Sequence, residues 1–148
     1  MATLKKTPAA QTILAADFAF NIANADAMVN TSGVSTAFSA SAGTVYDIIS
    51  LPYGAQVVGG DMTVLVVSND TGTATAALGD SASATRYLAA TNIKALARTA
   101  LTITGYQSLG EAVRLTVANQ NGNATTGHVK FVVHFVFSNR ATENLKTV

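Results

Sequence analysis

Hydrophobic and polar residues alternate with a period of two in several stretches of this chain. The stretches are rich in Val, Ile, Thr, Phe and Tyr, and they cover residues 12–22, 44–51, 61–68, 111–118 and 127–138. A period of two over four to eight residues of this composition is typical of half-buried β-strands. The pattern therefore predicts that most of the chain is β-sheet.

The alternation also predicts which side chains share a face of each strand. In residues 127–138 the apolar set is Phe131, Val133, Phe135 and Phe137. In residues 44–51, strict alternation groups Val45, Asp47, Ile49 and Leu51 on one face. We expect each of these sets to lie on one face of its strand, opposite the residues that alternate with it.

Turn signals separate these stretches at intervals of about ten residues. They are LPYGA (51–55), Gly59-Gly60, NDTGT (69–73), Gly79-Asp80, TGYQSLGE (104–111) and NQNGNATTG (119–127). We interpret Gly59-Gly60 as a turn or bulge at the entrance of the strand that follows. Short strands with regular turns predict an all-β sandwich or barrel.

The chain divides into three parts by composition, with no internal domain boundary. Residues 1–11 form a predicted N-terminal arm, residues 12–138 a single β-sandwich domain, and residues 139–148 a polar tail. Within the domain, residues 23–33 are small and polar, which predicts a loop. A terminus such as the predicted N-terminal arm becomes ordered only when it docks on another surface.

Residues 84–101 do not follow the period of two. Their apolar side chains recur at helical spacing, and alanine, which favours helix, is frequent. Thr91-Asn92 interrupts the middle of the segment, and no N-cap box precedes it. Periodicity alone leaves helix and strand open here.

Charge is sparse in this chain. Asp, Glu, Lys and Arg make up 11% of its 148 residues, against about 25% in typical soluble domains. A surface with so little charge associates readily, so we expect sister subunits or a larger assembly to cover much of it. The net charge is +1, and the nine basic residues are scattered along the chain. This argues against nucleic-acid binding, which requires a clustered basic face. No apolar run approaches the length of a membrane helix.

The sequence offers little chemistry. There is no cysteine, no phosphate-binding glycine motif and no nucleophile elbow. His128 and His134 are predicted to share a strand face about 20 Å apart, too far to bind one metal. Tyr46, Tyr53, Tyr87 and Tyr106 could line a sugar-binding face, but packing in a core or interface is the favoured interpretation. We therefore predict a protein that is not an enzyme and has no cofactor.

One small-residue segment carries both an acid and a base. In GDSASATRYLAA (79–90), Gly79-Asp80 is predicted to end the strand of residues 73–78, and Arg86 follows six residues after Asp80. Basic residues are rare in this chain, so we expect Arg86 to have a specific partner. We predict that Arg86 pairs with a carboxylate such as Asp80, or caps backbone carbonyls, and thereby fixes the loop or a subunit interface.

The order of these motifs resembles a known group of proteins. YDIISLPYGAQVVGGDMTV (46–64) is followed by NDTGTATAALGD (69–80), RYLAA (86–90), ARTALTITGY (97–106) and NATTGHVKFVVHFVF (123–137). This succession is similar to head decoration, or cement, proteins of tailed bacteriophages, which stabilise capsids. The resemblance spans residues 46–137 and is less clear before them.

The resemblance implies a jelly-roll-like antiparallel β-sandwich in which residues 84–101 are strand and loop. It also implies a homo-oligomer, dimer or trimer, that is made in the host cytoplasm and binds the outer capsid surface. There it would bridge subunits of the major capsid protein. We expect the arm, with Leu4, Lys5 and Lys6, to contact the capsid or a neighbouring subunit. The alternative function is a tail-fibre, receptor-binding or carbohydrate-binding module of the same fold, and neither implies nucleic-acid or membrane binding.

Overall fold

Ten β-strands make up the fold in the computed structural model, which describes residues 12–24, 27–38 and 43–137. One short 3₁₀ helix, Ile22–Asn24, follows the first strand. The strands are β1 Leu14–Asn21, β2 Ala27–Val29, β3 Ser35–Ala37, β4 Thr44–Ser50, β5 Ala55–Val66, β6 Ala74–Gly79, β7 Leu88–Asn92, β8 Arg98–Ala100, β9 Ala112–Asn119 and β10 His128–Phe137. The predicted arm, residues 1–11, and tail, residues 139–148, lie outside the described residues.

Eight of these strands form two four-stranded antiparallel sheets. One sheet has the order β1-β10-β5-β8 and the other the order β4-β9-β6-β7, while β2 and β3 form a separate hairpin. The chain passes repeatedly from one sheet to the other, and the strand order that results is that of a jelly roll. The prediction of an all-β, jelly-roll-like antiparallel sandwich is confirmed.

The core lies between the two sheets and is built from alternate side chains of each strand. In β9, Val113, Leu115 and Val117 are fully buried, and in β10 the same holds for Phe131 and Val133. Apolar burial of this kind is the main source of stability in a chain without disulfides. The grouping of these side chains was readable in the sequence because a strand places every second side chain on the same face.

Stacked aromatic rings reinforce one end of the core. The Phe20 ring stacks on Phe38 at 5.0 Å and on Phe131 at 6.2 Å between centroids, and Phe38 stacks on Tyr46 at 5.6 Å. These four residues come from β1, β10, β4 and the segment after β3. Ring contacts of this kind add to the stability that burial alone provides, so they join the small hairpin to both sheets.

The predicted face of β4 is wrong in its first half. Tyr46 and Ile49 both point inward, and the pairing with β9 shifts register between Asp47 and Ile49. Ile48 is therefore an extra residue, a β-bulge that reverses the alternation within the strand. Asp47 lies on the outer face, where its carboxylate pairs with Arg114 at 2.9 Å.

Gly59 and Gly60 lie inside a strand rather than at its entrance. Strand β5 begins at Ala55, and its pairing with β10 skips Val58, so a bulge does occur beside the glycine pair. Gly60 has a φ of 133°, and a Cβ at this position would lie 2.1 Å from the Val132 carbonyl oxygen. Only glycine permits this close approach of β5 to β10.

Residues 84–101 contain no helix. Strands β7 and β8 flank a turn, and the helical spacing fails at Leu96, which is 71% exposed while Ile93 is fully buried. The Asn92 side chain accepts a hydrogen bond from the Lys94 backbone N–H at 2.8 Å and starts this turn. The loop predicted for residues 23–33 is also partly wrong, because β2 pairs there with β3.

Candidate interaction surface

The loop between β6 and β7 has a fixed conformation centred on Asp80. This side chain is buried, and its Oδ1 accepts hydrogen bonds from the backbone N–H groups of Ala82 at 2.9 Å and Ser83 at 2.8 Å. The Asp80 N–H in turn donates to the Ser83 carbonyl at 2.9 Å. The carboxylate therefore holds the loop closed and still has one oxygen free of backbone contacts.

Arg86 supplies the partner of that second oxygen. Its Nε donates to Asp80 Oδ2, and its second amino group lies 3.4 Å from Asp80 Oδ1. The hydrogen bond with Asp80 is also the main reason why the pKa of Arg86 is raised. The structure thus brings together the two residues that the sequence singled out in this segment.

Arg86 also connects this loop to the segment between β8 and β9. Its guanidinium carbon lies 3.8 Å from the centroid of the Tyr106 ring, a stacking cation–π contact. The pKa of Tyr106 is raised, first by a hydrogen bond with the Glu111 carboxylate and then by burial. Glu111 in turn accepts a hydrogen bond from the Leu109 N–H at 2.6 Å. A continuous set of contacts therefore runs from Asp80 to the loop that ends at β9.

Tyr87 anchors the same region from inside. Its backbone N–H donates to the Leu78 carbonyl oxygen at 3.0 Å, and its own carbonyl oxygen accepts from the Thr102 N–H at 2.7 Å. The side chain is 2% exposed. Burial is the main cause that raises the pKa of Tyr87 to about 12.

Two large apolar side chains project into solvent beside this rigid region. Tyr53 is 72% exposed and Leu109 is 68% exposed. Their loops are joined by hydrogen bonds from the Gly54 N–H to the Ser108 carbonyl and from the Ser108 N–H to the Ala55 carbonyl, both at 2.7 Å. We call Tyr53 and Leu109 the apolar corner.

The corner has the properties of a preformed contact. Its backbone is held by hydrogen bonds, so ordering it on a partner costs little conformational entropy. Sequence analysis missed the corner, because LPYGA and TGYQSLGE read as turns. An apolar residue inside a glycine-rich or proline-rich turn is the signal that could have found it.

The other residues singled out in the sequence are dispersed. Leu4, Lys5 and Lys6 lie outside the described residues. Tyr46 and Tyr87 are buried, so the four tyrosines do not form one face. His128 and His134 both lie on the outer side of β10. No group of three or more His, Asp or Glu residues that could hold a metal occurs in residues 12–24, 27–38 and 43–137.

Comparison with known proteins identifies relatives of the fold only. No protein-family model matches the chain, and no curated protein matches it. A chain in the structure of the cyanophage Pam1 capsid asymmetric unit does match. Its TM-score is 0.59 at 23% identity, over 86% of this chain and 86% of its own length. This chain shares its fold with a bacteriophage capsid chain.

Two further capsid structures contain a similar chain. For the acid-stable capsid of Helicobacter pylori bacteriophage KHP30, the TM-score is 0.53 at 18% identity, over 85% of this chain and 92% of the matched one. For the capsid of Ralstonia phage GP4, the TM-score is 0.54 at 16% identity, over 84% of each chain. No helix in the part described here is long and apolar enough to cross a membrane.

Proposed function

We propose that this chain is a bacteriophage virion protein that binds the outer surface of the capsid and bridges subunits of the major capsid protein. The observation that carries the proposal is the shared fold with chains of three phage capsids over 84–86% of this chain. The motif order in residues 46–137, which resembles that of decoration proteins, supports the same function from the sequence.

The coverage of the matched chains supports a small accessory subunit. In each comparison the match extends over 84–92% of the other chain, so the sandwich corresponds to most of that chain and not to one domain of a larger protein. A single sandwich with few charges is suited to permanent contacts, whose buried centres are depleted of charged residues. We propose that it works as a homo-oligomer, dimer or trimer.

The mechanism we propose is clamping by surface contact. The apolar corner packs into a junction between capsid subunits, while the contacts from Asp80 through Arg86 to Tyr106 keep its supporting loops rigid. Separating two capsid subunits then also exposes the corner to water, which adds to the cost of rupture. The arm with Leu4, Lys5 and Lys6 supplies a second contact, with the capsid or a neighbouring copy.

Co-sedimentation with heads of the encoding phage that lack this protein tests the proposal. We expect the full chain to sediment with the heads in a saturable manner and to raise the temperature at which they release DNA. Failure of the correctly folded chain to bind such heads would overturn the function. Native mass measurement determines the number of subunits in the oligomer.

Two variants separate the function from the choice of contact. Tyr53→Ser combined with Leu109→Ser should lower head affinity by roughly tenfold or more, because both apolar contacts are lost. Leu96→Ser removes an equally exposed leucine from the turn between β7 and β8 and should leave affinity unchanged. If all three proteins bind alike, the corner is not the contact, although the chain is still a decoration protein.

The alternative, a glycan-binding module, depends on exposed tyrosines. Of the four, Tyr46 and Tyr87 are buried and Tyr53 is 72% exposed. The four tyrosines therefore do not form one sugar-binding face, which weakens the case for this function. Binding of the isolated protein to a glycan array, lost on Tyr53→Ser, would favour it over the capsid function.

A further inference from the structure

The loop between β9 and β10, residues 120–127, contains a chemically reactive pair of residues. Asn121 is the only asparagine in the sequence that is followed by glycine, Gly122. Both residues are exposed, and both lie outside the strands on either side. Glycine has no side chain to shield its own backbone nitrogen, so this nitrogen is open to reaction with the side chain that precedes it.

The reaction available to this pair is deamidation. The backbone nitrogen of Gly122 gives up its proton and attacks the side-chain carbonyl carbon, Cγ, of Asn121. The bond from Cγ to Nδ2 breaks, and Nδ2 leaves with one additional proton as ammonia, which closes a five-membered succinimide ring. Water then opens the ring at either of its two carbonyl carbons. The products are aspartate and isoaspartate, and the protein gains one carboxylate.

The folded loop leaves the attacking nitrogen accessible. The Gly122 N–H donates to the Asn119 carbonyl oxygen at 3.2 Å, which is at the long end of backbone hydrogen bonds. Ring closure has to break this one weak contact and no pairing between strands. Exposed segments without strand pairing are also those that open most easily in a native protein, so the fold does not block the reaction.

A neighbouring asparagine provides a close comparison. Asn121 and Asn123 are both exposed, and each donates a hydrogen bond from Nδ2 to Thr71 Oγ1, at 2.7 and 3.0 Å respectively. Asn123 is followed by Ala124, whose Cβ crowds the attacking nitrogen, whereas Asn121 is followed by glycine. The third asparagine of this region, Asn119, is fully buried at the end of β9. Only Asn121 combines exposure with a following glycine.

We propose that Asn121 is a site of spontaneous deamidation in the folded protein, and that isoaspartate at this position weakens the contact of the loop with Thr71. Isoaspartate diverts the main chain through the former side chain, which moves the remaining carboxyl group. A carboxylate also has no N–H to donate, so the hydrogen bond from Nδ2 to Thr71 is lost. The site is independent of the capsid function proposed above.

Peptide mapping of the full-length protein tests the site. The folded protein is incubated at mildly alkaline pH, where backbone nitrogen loses its proton more readily, and then digested with trypsin. Cleavage after Arg114 and Lys130 releases all three asparagines in one peptide, residues 115–130. Fragmentation of this peptide should locate the conversion at Asn121, faster than at Asn123 by about tenfold or more. Protein unfolded in urea is the positive control for the chemistry. Deamidation of Asn121 in the unfolded chain but not in the folded one would overturn the proposal.

Two variants connect the reaction to the stability of the loop. Asn121→Gln keeps the amide but needs a larger, less readily formed ring, so it should remain unmodified and keep its melting temperature during incubation. Asn123→Gln is the matched control and should react at Asn121 as the wild type does. The isoaspartate form of the wild type, separated by chromatography, should melt roughly 2 to 5 °C lower than fresh protein, since one contact between the loops is lost. Equal melting temperatures of the two forms would refute the weakened contact with Thr71.

Discussion

Replacing Arg86 with alanine should destabilise this protein through the carboxylate that it leaves behind. The Asp80 side chain is 2% exposed, and Arg86 supplies its only side-chain charge partner among the described ion pairs. Removing one member of a buried pair typically costs about 3 to 5 kcal/mol, since the remaining charge is uncompensated. Asp80 Oδ1 keeps two backbone N–H donors, which lowers our expectation for Arg86→Ala to about 2 to 3 kcal/mol.

Chemical denaturation with urea measures this cost directly, and thermal unfolding should show a fall of roughly 5 to 10 °C. Arg86→Lys is the matched control. It keeps a positive charge but loses the planar group that both pairs with Asp80 and stacks on Tyr106. Its loss of stability should therefore lie between zero and that of alanine. Native mass measurement of both variants shows whether the oligomer also depends on this pair.

A double-mutant cycle isolates the ion pair from the other contacts of Arg86. Asp80→Asn keeps the side-chain oxygen that caps the loop but removes the charge, so Arg86→Ala should cost about 1 to 2 kcal/mol less in that background. An equal cost in both backgrounds would refute the reasoning, because the buried charge would then play no part. A loss below about 0.5 kcal/mol in the wild-type background would refute it as well, since surface changes fall in that range.

Three further changes test other parts of the structure. Gly60→Ala should prevent folding or cost at least about 3 kcal/mol, because its Cβ would overlap the carbonyl oxygen of the facing strand, whereas Gly59→Ala should be tolerated since the nearest atom is 3.6 Å away. If both variants are soluble, urea unfolding measures the difference between them. If Gly60→Ala alone fails to fold, that result also supports the prediction. Stability should fall as the pH rises from 10 to about 12, because the pKa of Tyr87 is raised to about 12 and the unfolded chain loses this proton first. Tyr87→Phe should remove up to about 2 kcal/mol of that pH dependence in denaturation measured at pH 9 and pH 11.5. Asn69→Ala should cost about 1 to 2 kcal/mol in urea unfolding through loss of three hydrogen bonds, and Asn69→Asp, which keeps the acceptor oxygens, should cost less.

The fold class and the grouping of many core side chains follow from the sequence alone. Alternation in β10 grouped Phe131 and Val133 on one face, which is the buried one, because strand geometry gives every second side chain the same environment. The scarcity of charge pointed to a protein that works by surface contact. The spacing within residues 79–90 was enough to pair Arg86 with a nearby acid as a hypothesis, since both lie in one local loop.

Contacts between distant segments of the chain set the remaining features, and these contacts exist only in the folded protein. The bulge at Ile48 reverses the face of β4 because the register with β9 shifts there, and no pattern within the strand indicates this shift. Residues 84–101 are strand and turn, since pairing with β6 and β5 outweighs their helical spacing. Tyr53 and Leu109 are 56 residues apart in sequence, and so cannot be recognised as one surface before the chain folds.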